Sequence, residues 1–370
     1  MRGKKSSNSD AQSTTGQQLT RREFVTRMTA AVLGTGHLLH AVAGGAPDNA
    51  ATGMKYRQLG KTGIAVSEIG FGSHLSRPNM SDPGARAAQI RKGLDLGINL
   101  FDIYDHSYKQ FAPMREILRP VRQQVLISLV SMSQQPEKEV EYALETLDTD
   151  TIDLYRLYVP LGSKDLLAAR LEKLQRAKKQ GKIRAIGLVG HSQTSLVEQL
   201  RTHAELDYLM FPYNFRHRKL SPRGAPQNTL AAAASPKATS TGWRDCVLVP
   251  CPDPVFAALV KKTGVGLIAM KPFGGGGLLQ LPPPEQLRDQ GAKISLPQAA
   301  LKFILQSPQI SCAIPAMNSI AQIEENVGAL QGKGLSATEA RWLQLYNEAA
   351  EKSKGSYLPR DYRWLEQWKI

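Results

Sequence analysis

Cysteine is scarce in this chain, with three in 370 residues: Cys246, Cys251 and Cys312. Three is an odd count, and the Cys246-x4-Cys251 spacing suits neither a zinc site nor an iron–sulfur site, so no metal centre is expected. Cys246 and Cys251 pair as a disulfide if the protein resides in an oxidising compartment, or remain buried free thiols. Long apolar runs are missing too. Residues 28–42 are mildly apolar, but the run is short and broken by Gly34, Gly36, His37 and His40, which excludes a good membrane span. No long Lys/Arg block occurs, although 47 Lys and Arg against 32 Asp and Glu give a net charge of +15. Scattered surface charge fits this pattern better than nucleic-acid binding, with an anionic substrate or an acidic envelope surface as the second reading.

Part of the basic surplus lies at the N-terminus, where Arg2, Lys4, Lys5, Arg21, Arg22 and Arg27 outweigh Asp10 and Glu23. Leu19-Thr20-Arg21-Arg22-Glu23-Phe24-Val25 resembles a twin-arginine export signal. A polar stretch precedes it, the apolar run follows, and Ala41-Val42-Ala43 offers a small-x-small cleavage site. Residues 1–43 therefore read as a signal peptide and 44–53 as a linker. The expected location is periplasmic or otherwise extracytoplasmic, with the twin-arginine export machinery as partner. Cleavage would leave no stable membrane span, whereas an uncleaved signal would act as an anchor. That route moves folded proteins, so a cofactor, if used, would be loaded before export and held tightly.

From Met54 onward, strand-like and helix-like segments alternate. Strands are expected at 67–70, 98–101, 125–130, 152–157, 183–189, 208–211, 266–270 and 311–314, several of them continuous apolar runs suited to burial on both faces. Pro136 opens a helix with Val140, Leu144 and Leu147 on one face, and Leu167, Leu171 and Leu174 line another that Gly181 ends. Eight such units give an α/β fold, a closed (β/α)8 TIM barrel over residues 54–335. Residues 336–370, with a helix over 336–353, form a C-terminal extension packed on it. A doubly wound sheet is the rival architecture, but no G-x-G-x-x-G follows the first strand. Residues 222–241, rich in Ala, Ser, Pro and Thr, read as a long excursion after the sixth strand. The neighbouring Arg216-His217-Arg218-Lys219 is either a solvated basic turn or a clamp for a carboxylate or phosphate.

The opening Met54-Lys55-Tyr56-Arg57-Gln58-Leu59-Gly60, the Gly97–Asp102 segment, Thr151-Ile152-Asp153-Leu154-Tyr155, Gly181-Lys182-Ile183-Arg184, Pro212-Tyr213-Asn214 and Ile314-Pro315 occur in an order and spacing that resemble the aldo-keto reductases. The resemblance runs from Met54 to about Asn326. It implies a barrel that reduces carbonyls with NADPH, using a tyrosine as proton donor, a lysine that lowers its pKa, an aspartate paired with the lysine, and a histidine that orients the carbonyl. The aspartate matches Asp102. The tyrosine position falls on Ser107, with Tyr108 one place late. The lysine position falls on Val130 and the histidine position on Tyr158. The resemblance thus implies that Asp102 has lost its cationic partner, and a partly buried carboxyl without a cation tends to keep its proton. Some exported relatives carry a C-terminal iron–sulfur cysteine cluster. This chain has no cysteine after Cys312, so no such cluster is expected.

For the cofactor, the resemblance places Val189-Gly190 at the amide-gripping positions and Met210 at the glutamine. Met270 takes the place of the stacking tyrosine. Met270-Lys271-Pro272-Phe273-Gly274, followed by glycines to Gly277, looks like the loop over the cofactor diphosphate, and a Gly-rich turn with a cation suits phosphate on physical grounds. A plain Gly-rich turn is the alternative. Asn214 lies nearby, Asn318 stands where an arginine clasps the 2′-phosphate, and Gln322 and Asn326 match the adenosine end, so NAD is as plausible a ligand as NADP. Asp102, Tyr104, Asp105, His106, Tyr108, Tyr158, His191, Asn214 and Lys271 can all face the mouth. The acid/base candidates are Asp102, Tyr108, Tyr158 and His191: Tyr108 swings into the missing tyrosine's place, or Tyr158 acts with Lys271 or His191 beside it. Three readings remain: an exported oxidoreductase acting on a small carbonyl or alcohol, anionic or sugar-like; a non-redox lyase, isomerase or hydrolase on the same barrel; and a catalytically silent binding protein.

Overall fold

The computed structural model describes residues 53–73, 82–104, 107–159, 167–190, 193–216, 254–280, 294–332 and 334–352. The residues expected to form a signal peptide, nearly all of the expected linker, Asp105, His106, His191, Cys246, Cys251, the expected excursion at 222–241 and the chain beyond 352 lie outside these residues. Among the described residues no helix is long and apolar enough to cross a membrane.

Eight parallel strands form one sheet in sequence order: β3 (Phe71–Gly72), β4 (Leu100–Ile103), β5 (Leu126–Ser131), β6 (Ile152–Tyr158), β7 (Ile183–Val189), β8 (Tyr208–Pro212), β9 (Gly266–Met270) and β10 (Ile310–Ile314). The sheet curls until its first and last strands meet. Gly70 N donates to Ala313 O at 2.9 Å, Ala313 N to Glu68 O at 2.9 Å and Gly72 N to Pro315 O at 3.1 Å. The expected (β/α)8 barrel is therefore the fold observed. An antiparallel hairpin, β1 (Tyr56–Gln58) and β2 (Ala65–Ser67), precedes it and sends Leu59, Ile64 and Val66 into the cluster of side chains inside the barrel.

The expected strands appear within a few residues, except the first. The run at 67–70 is split: Ser67 ends the hairpin, and the barrel strand begins beyond it. The reason is local bonding. Ser67 N donates to Asn99 Oδ1 at 2.7 Å and Ser67 Oγ to the Ile69 carbonyl at 2.8 Å, which turns the chain from one pairing to the next. The hairpin β1–β2 is additional to the expected strands.

Helices cover the barrel: α1 (Pro83–Asp95), α2 (Tyr108–Leu118), α3 (Pro136–Leu147), α4 (Leu167–Lys179), α5 (Gln193–Thr202), α6 (Pro254–Thr263), α7 (Leu296–Leu305), α8 (Ile320–Gly328) and α9 (Ala337–Lys352). Their starts follow capping chemistry. Asp82 caps α1 by accepting from Ala85 N, with Pro83 at the first helical position. Ser336 and Glu339 cap α9 reciprocally: Glu339 N donates to Ser336 Oγ and Ser336 N to Glu339 Oε2. The α9 helix packs against α7, burying Trp342, Leu343, Leu345 and Tyr346.

Two sets of side chains result from the period-2 alternation of the strands. Outward residues such as Phe71, Phe101, Ile127 and Tyr155 meet the helices in the larger core. Inward residues include Leu100, Leu126, Val130, Leu154, Val189, Tyr208, Met210 and Ile268. Gly187 leaves room for the Tyr208 ring, since a Cβ there would lie 2.5 Å from two ring carbons. Gly187→Ala is accordingly expected to cost about 1–3 kcal/mol of stability, as overpacking does. Urea unfolding should show that loss shrinking in a Tyr208→Leu background; an equal loss in both backgrounds would mean that the ring is not the obstacle.

Candidate active site

Parallel strands present their C-terminal ends at one face, where sites of this architecture lie. Below that face the barrel interior holds charge. Arg156, on an inward position of β6, is buried to 2 % exposure. Its Nη1 donates to Asp102 Oδ1 at 2.6 Å and its Nη2 to Asp102 Oδ2 at 3.1 Å. Ser128 Oγ donates to Asp102 Oδ1 at 2.8 Å, and Arg156 Nη1 also reaches Ser128 Oγ at 2.7 Å and the Leu129 carbonyl at 3.3 Å. The Tyr208 phenol lies against the same guanidinium. Burial works against the Arg156 charge, but Asp102 and Tyr208 outweigh it and hold the guanidinium above its ordinary value. Burial pushes the Tyr208 phenol upward, so it stays protonated.

This corrects the expectation that Asp102 lacks a cation. The positive charge comes from β6, 54 residues along the chain, and both carboxylate oxygens are engaged. Asp102 is buried, so the two groups form a fixed ion pair inside the barrel.

Above the pair, the lip is formed by Val130, Val189, Met210, Met270, Ile314 and Tyr158. Tyr158 ends β6 and is half-buried. Burial, and then the neighbouring Tyr104, raise its pKa, so its phenol keeps its proton. Tyr104 follows β4 and is exposed; its backbone N donates to Ser73 Oγ at 3.1 Å. Tyr108 is the first residue of α2, directly after Ser107, whose carbonyl accepts from Gln110 N and Phe111 N. The Tyr108 side chain and His191 lie outside the described residues.

The turn after β9 has unusual backbone. Lys271 has φ of 53°, a left-handed conformation rare for a residue with a side chain, and Gly274, Gly275 and Gly276 follow at 55°, 70° and 91°. The turn is pinned at the Lys271 carbonyl, which accepts from Asn214 Nδ2 and from Gly274 N, each at 3.0 Å. Asn214 is buried, and its Oδ1 accepts from Arg216 N, so its side chain organises the loop. Pro272 and Phe273 are buried beneath the turn, while a Cβ at Gly276 would meet nothing within 4 Å. Burial pushes the Lys271 ammonium down to about 8. An open glycine turn beside a cation suits a phosphate.

The segment after β10 is held from outside. Arg86 Nη1 donates to the Met317 carbonyl at 2.6 Å and Gln89 Nε2 to the Asn318 carbonyl at 2.9 Å, both from α1. Asn318 N donates to Gln322 Oε1 at 2.9 Å, so that oxygen serves the loop itself. Asn326 is buried in α8. Among the described residues no group of three or more His, Cys, Asp or Glu is placed to hold a metal.

The aldo/keto reductase family model matches residues 68–217, the stretch that carries Asp102, Ser128, Arg156, Tyr158 and Tyr208. Over that stretch the chain is similar to the aldo/keto reductase family. Over 316 residues it is 25% identical to L-galactose dehydrogenase from Arabidopsis thaliana, covering 75% of this chain and 89% of that protein. It is 24% identical to pyridoxine 4-dehydrogenase from Escherichia coli, over 72% of this chain and 90% of that protein. Aldo-keto reductase AKR11C1 from Bacillus halodurans superposes with a TM-score of 0.59 at 21% identity, over 84% of this chain and 99% of that one, which shows the shared fold.

Sequence reasoning missed Arg156 as Asp102's partner. The signal was present: a lone arginine within the apolar strand Ile152–Tyr158 requires a buried counter-charge. Removing it should be severe. Arg156→Met is expected to cost about 3–5 kcal/mol by stranding Asp102, and Asp102→Leu with Arg156→Met should recover much of the loss. Equal urea midpoints for the single and double variants would contradict this. Lys271 gives a pH prediction. Its pKa in the fold, about 8, lies below that of an unfolded lysine, near 10.4. Between those values the unfolded chain binds more protons, so this group makes stability rise with pH across that window and leaves it flat below. Lys271→Met should remove that increment in denaturation measured from pH 7 to 10.5; an unchanged slope would exclude it.

Proposed function

We propose that this protein is an exported NAD(P)-dependent oxidoreductase of aldo/keto reductase type with a remodelled acid/base site. The observation that carries the reading is the pinned turn from Lys271 to Gly276, which combines a partly buried cation, left-handed backbone and open space at Gly276. That turn fits the diphosphate of a dinucleotide, and Asn318 and the start of α8 are the residues that would hold its other end. The Gln322 oxygen is already used by the loop and Asn326 is buried, so the fit is better at the phosphates than at the adenosine. NAD and NADP both remain compatible with Asn318. When bound, the cofactor supplies or accepts a hydride.

The chain's own residues do the rest. On the family pattern the lysine position is Val130 and the histidine position is Tyr158, so the proton chemistry is redistributed. Tyr158, kept protonated by burial and by Tyr104, donates a hydrogen bond to a carbonyl oxygen at the mouth. Arg156 occupies both oxygens of Asp102 and anchors that carboxylate inside the barrel. Lys271 places positive charge at the face where the cofactor phosphates would lie. The substrate class is a small carbonyl or alcohol, and the sugar and pyridoxine named in its relatives' activities support a polar ring. The twin-arginine segment supports export with the cofactor already held.

A second reading has its own observation. The fully engaged Asp102 and the apolar Val130 favour a barrel that binds a ligand without turning it over, or performs non-redox chemistry. One experiment separates them. Protein recovered folded from the extracytoplasmic fraction is denatured, and the released material is measured by mass and absorbance. Near-stoichiometric NAD or NADP is expected. No nucleotide, together with no binding on titration, would overturn the redox reading, and retention in the cytoplasm would overturn export.

A further inference from the structure

Behind the lip lies a second buried arginine. Arg170, on α4, is buried against the barrel wall at 5% exposure. Its Nη1 donates to the Tyr158 carbonyl at 3.2 Å and its Nη2 to the Ser131 carbonyl at 3.0 Å. Those carbonyls belong to the last residues of β6 and β5, neighbours in the sheet. One planar fork thus bridges two strand ends, which the point charge of a lysine cannot do with fixed geometry. The residue after Ser131 is Met132, exposed at the mouth.

The fork is itself supported. Burial lowers the Arg170 pKa, and Glu139 and Tyr155 partly restore it. The Tyr155 phenol hydrogen-bonds Ser131 and lies beside Glu139, so the same strand end is gripped twice. On the other side, Val159 N donates to the Val189 carbonyl at 2.8 Å and ties the end of β6 to β7. The backbone of Tyr158 is therefore fixed from both flanks, and its side chain projects from a rigid strand end.

We infer that Arg170 is a positioning residue: by holding the Tyr158 and Ser131 carbonyls together, it sets the direction in which the Tyr158 phenol projects into the mouth. This rests on the reading of Tyr158 as the donor to a carbonyl oxygen. Its test does not require turnover. The full chain is labelled with 13C at the tyrosine ring, and the Tyr158 resonance is identified by its loss in Tyr158→Phe. Arg170→Lys keeps the charge and breaks the fork, while Arg170→Met removes both. The Tyr158 resonance should move in both variants, more in Arg170→Met, and its titration midpoint should fall as water reaches the ring. Lys178→Met, which breaks the Lys178–Asp207 ion pair at the opposite end of the barrel, serves as a control for general loss of stability. It should leave the resonance in place.

If Arg170→Met does not fold, Arg170→Lys alone decides. An unchanged Tyr158 resonance in Arg170→Lys overturns the inference, as does an equal shift in Lys178→Met. Failure of the functional reading has a different signature: Tyr158→Phe would leave turnover and ligand affinity unchanged while the Arg170 variants still moved the resonance.

Discussion

A guanidinium at the centre of a closed barrel dictates what can surround it. Arg156 cannot reach water, so the barrel interior must supply acceptors for it, and Asp102 does so through both carboxylate oxygens. Ser128 completes the carboxylate's shell and the Tyr208 phenol faces the same charge. Gly187 must then lack a side chain so that the Tyr208 ring fits. Four strands, β4, β5, β6 and β8, are thereby committed to one register, because a slip of one residue in any of them would turn a member of the cluster outward.

The consequence for chemistry is a separation of layers. Charge lies below, paired and buried, whereas the lip above it is mostly apolar, with Tyr158 and Tyr104 carrying its phenols. Cationic character reappears at the rim of β9, in Lys271, whose left-handed backbone is held by Asn214 and Gly274. Strained backbone kept in place by a buried side chain is a common mark of a binding turn. The phenols and the Lys271 ammonium therefore follow different strands of the barrel.

The same economy recurs on the outer wall. Arg170, Arg122 and Arg86 each leave a helix or helical turn to bind backbone carbonyls of the barrel or its loops. Arg86 also stacks 4.7 Å above the Phe71 ring, and burial lowers its pKa to about 10. Guanidinium groups suit this use because their donors are fixed in one plane and their charge survives burial better than an ammonium. Some of the chain's basic surplus is thus consumed internally, which agrees with the absence of any Lys/Arg block in the sequence.

The sequence by itself determined the barrel. Apolar runs such as Ile183–Val189 and Gly266–Met270, alternating with helices opened by Pro136 and ended near Gly181, specify strand and helix through local sterics and periodicity. It also located the Lys271 turn, since consecutive glycines beside a cation are visible without coordinates. Tertiary structure alone decided who pairs with whom. Asp102 and Arg156 are distant in the chain, and only barrel closure with a definite register brings them to 2.6 Å. The split of the first expected strand was likewise hidden, because Asn99 redirects Ser67 from across the barrel floor. Local preference is written along the chain, whereas the partner of a buried charge is set by which strands become neighbours.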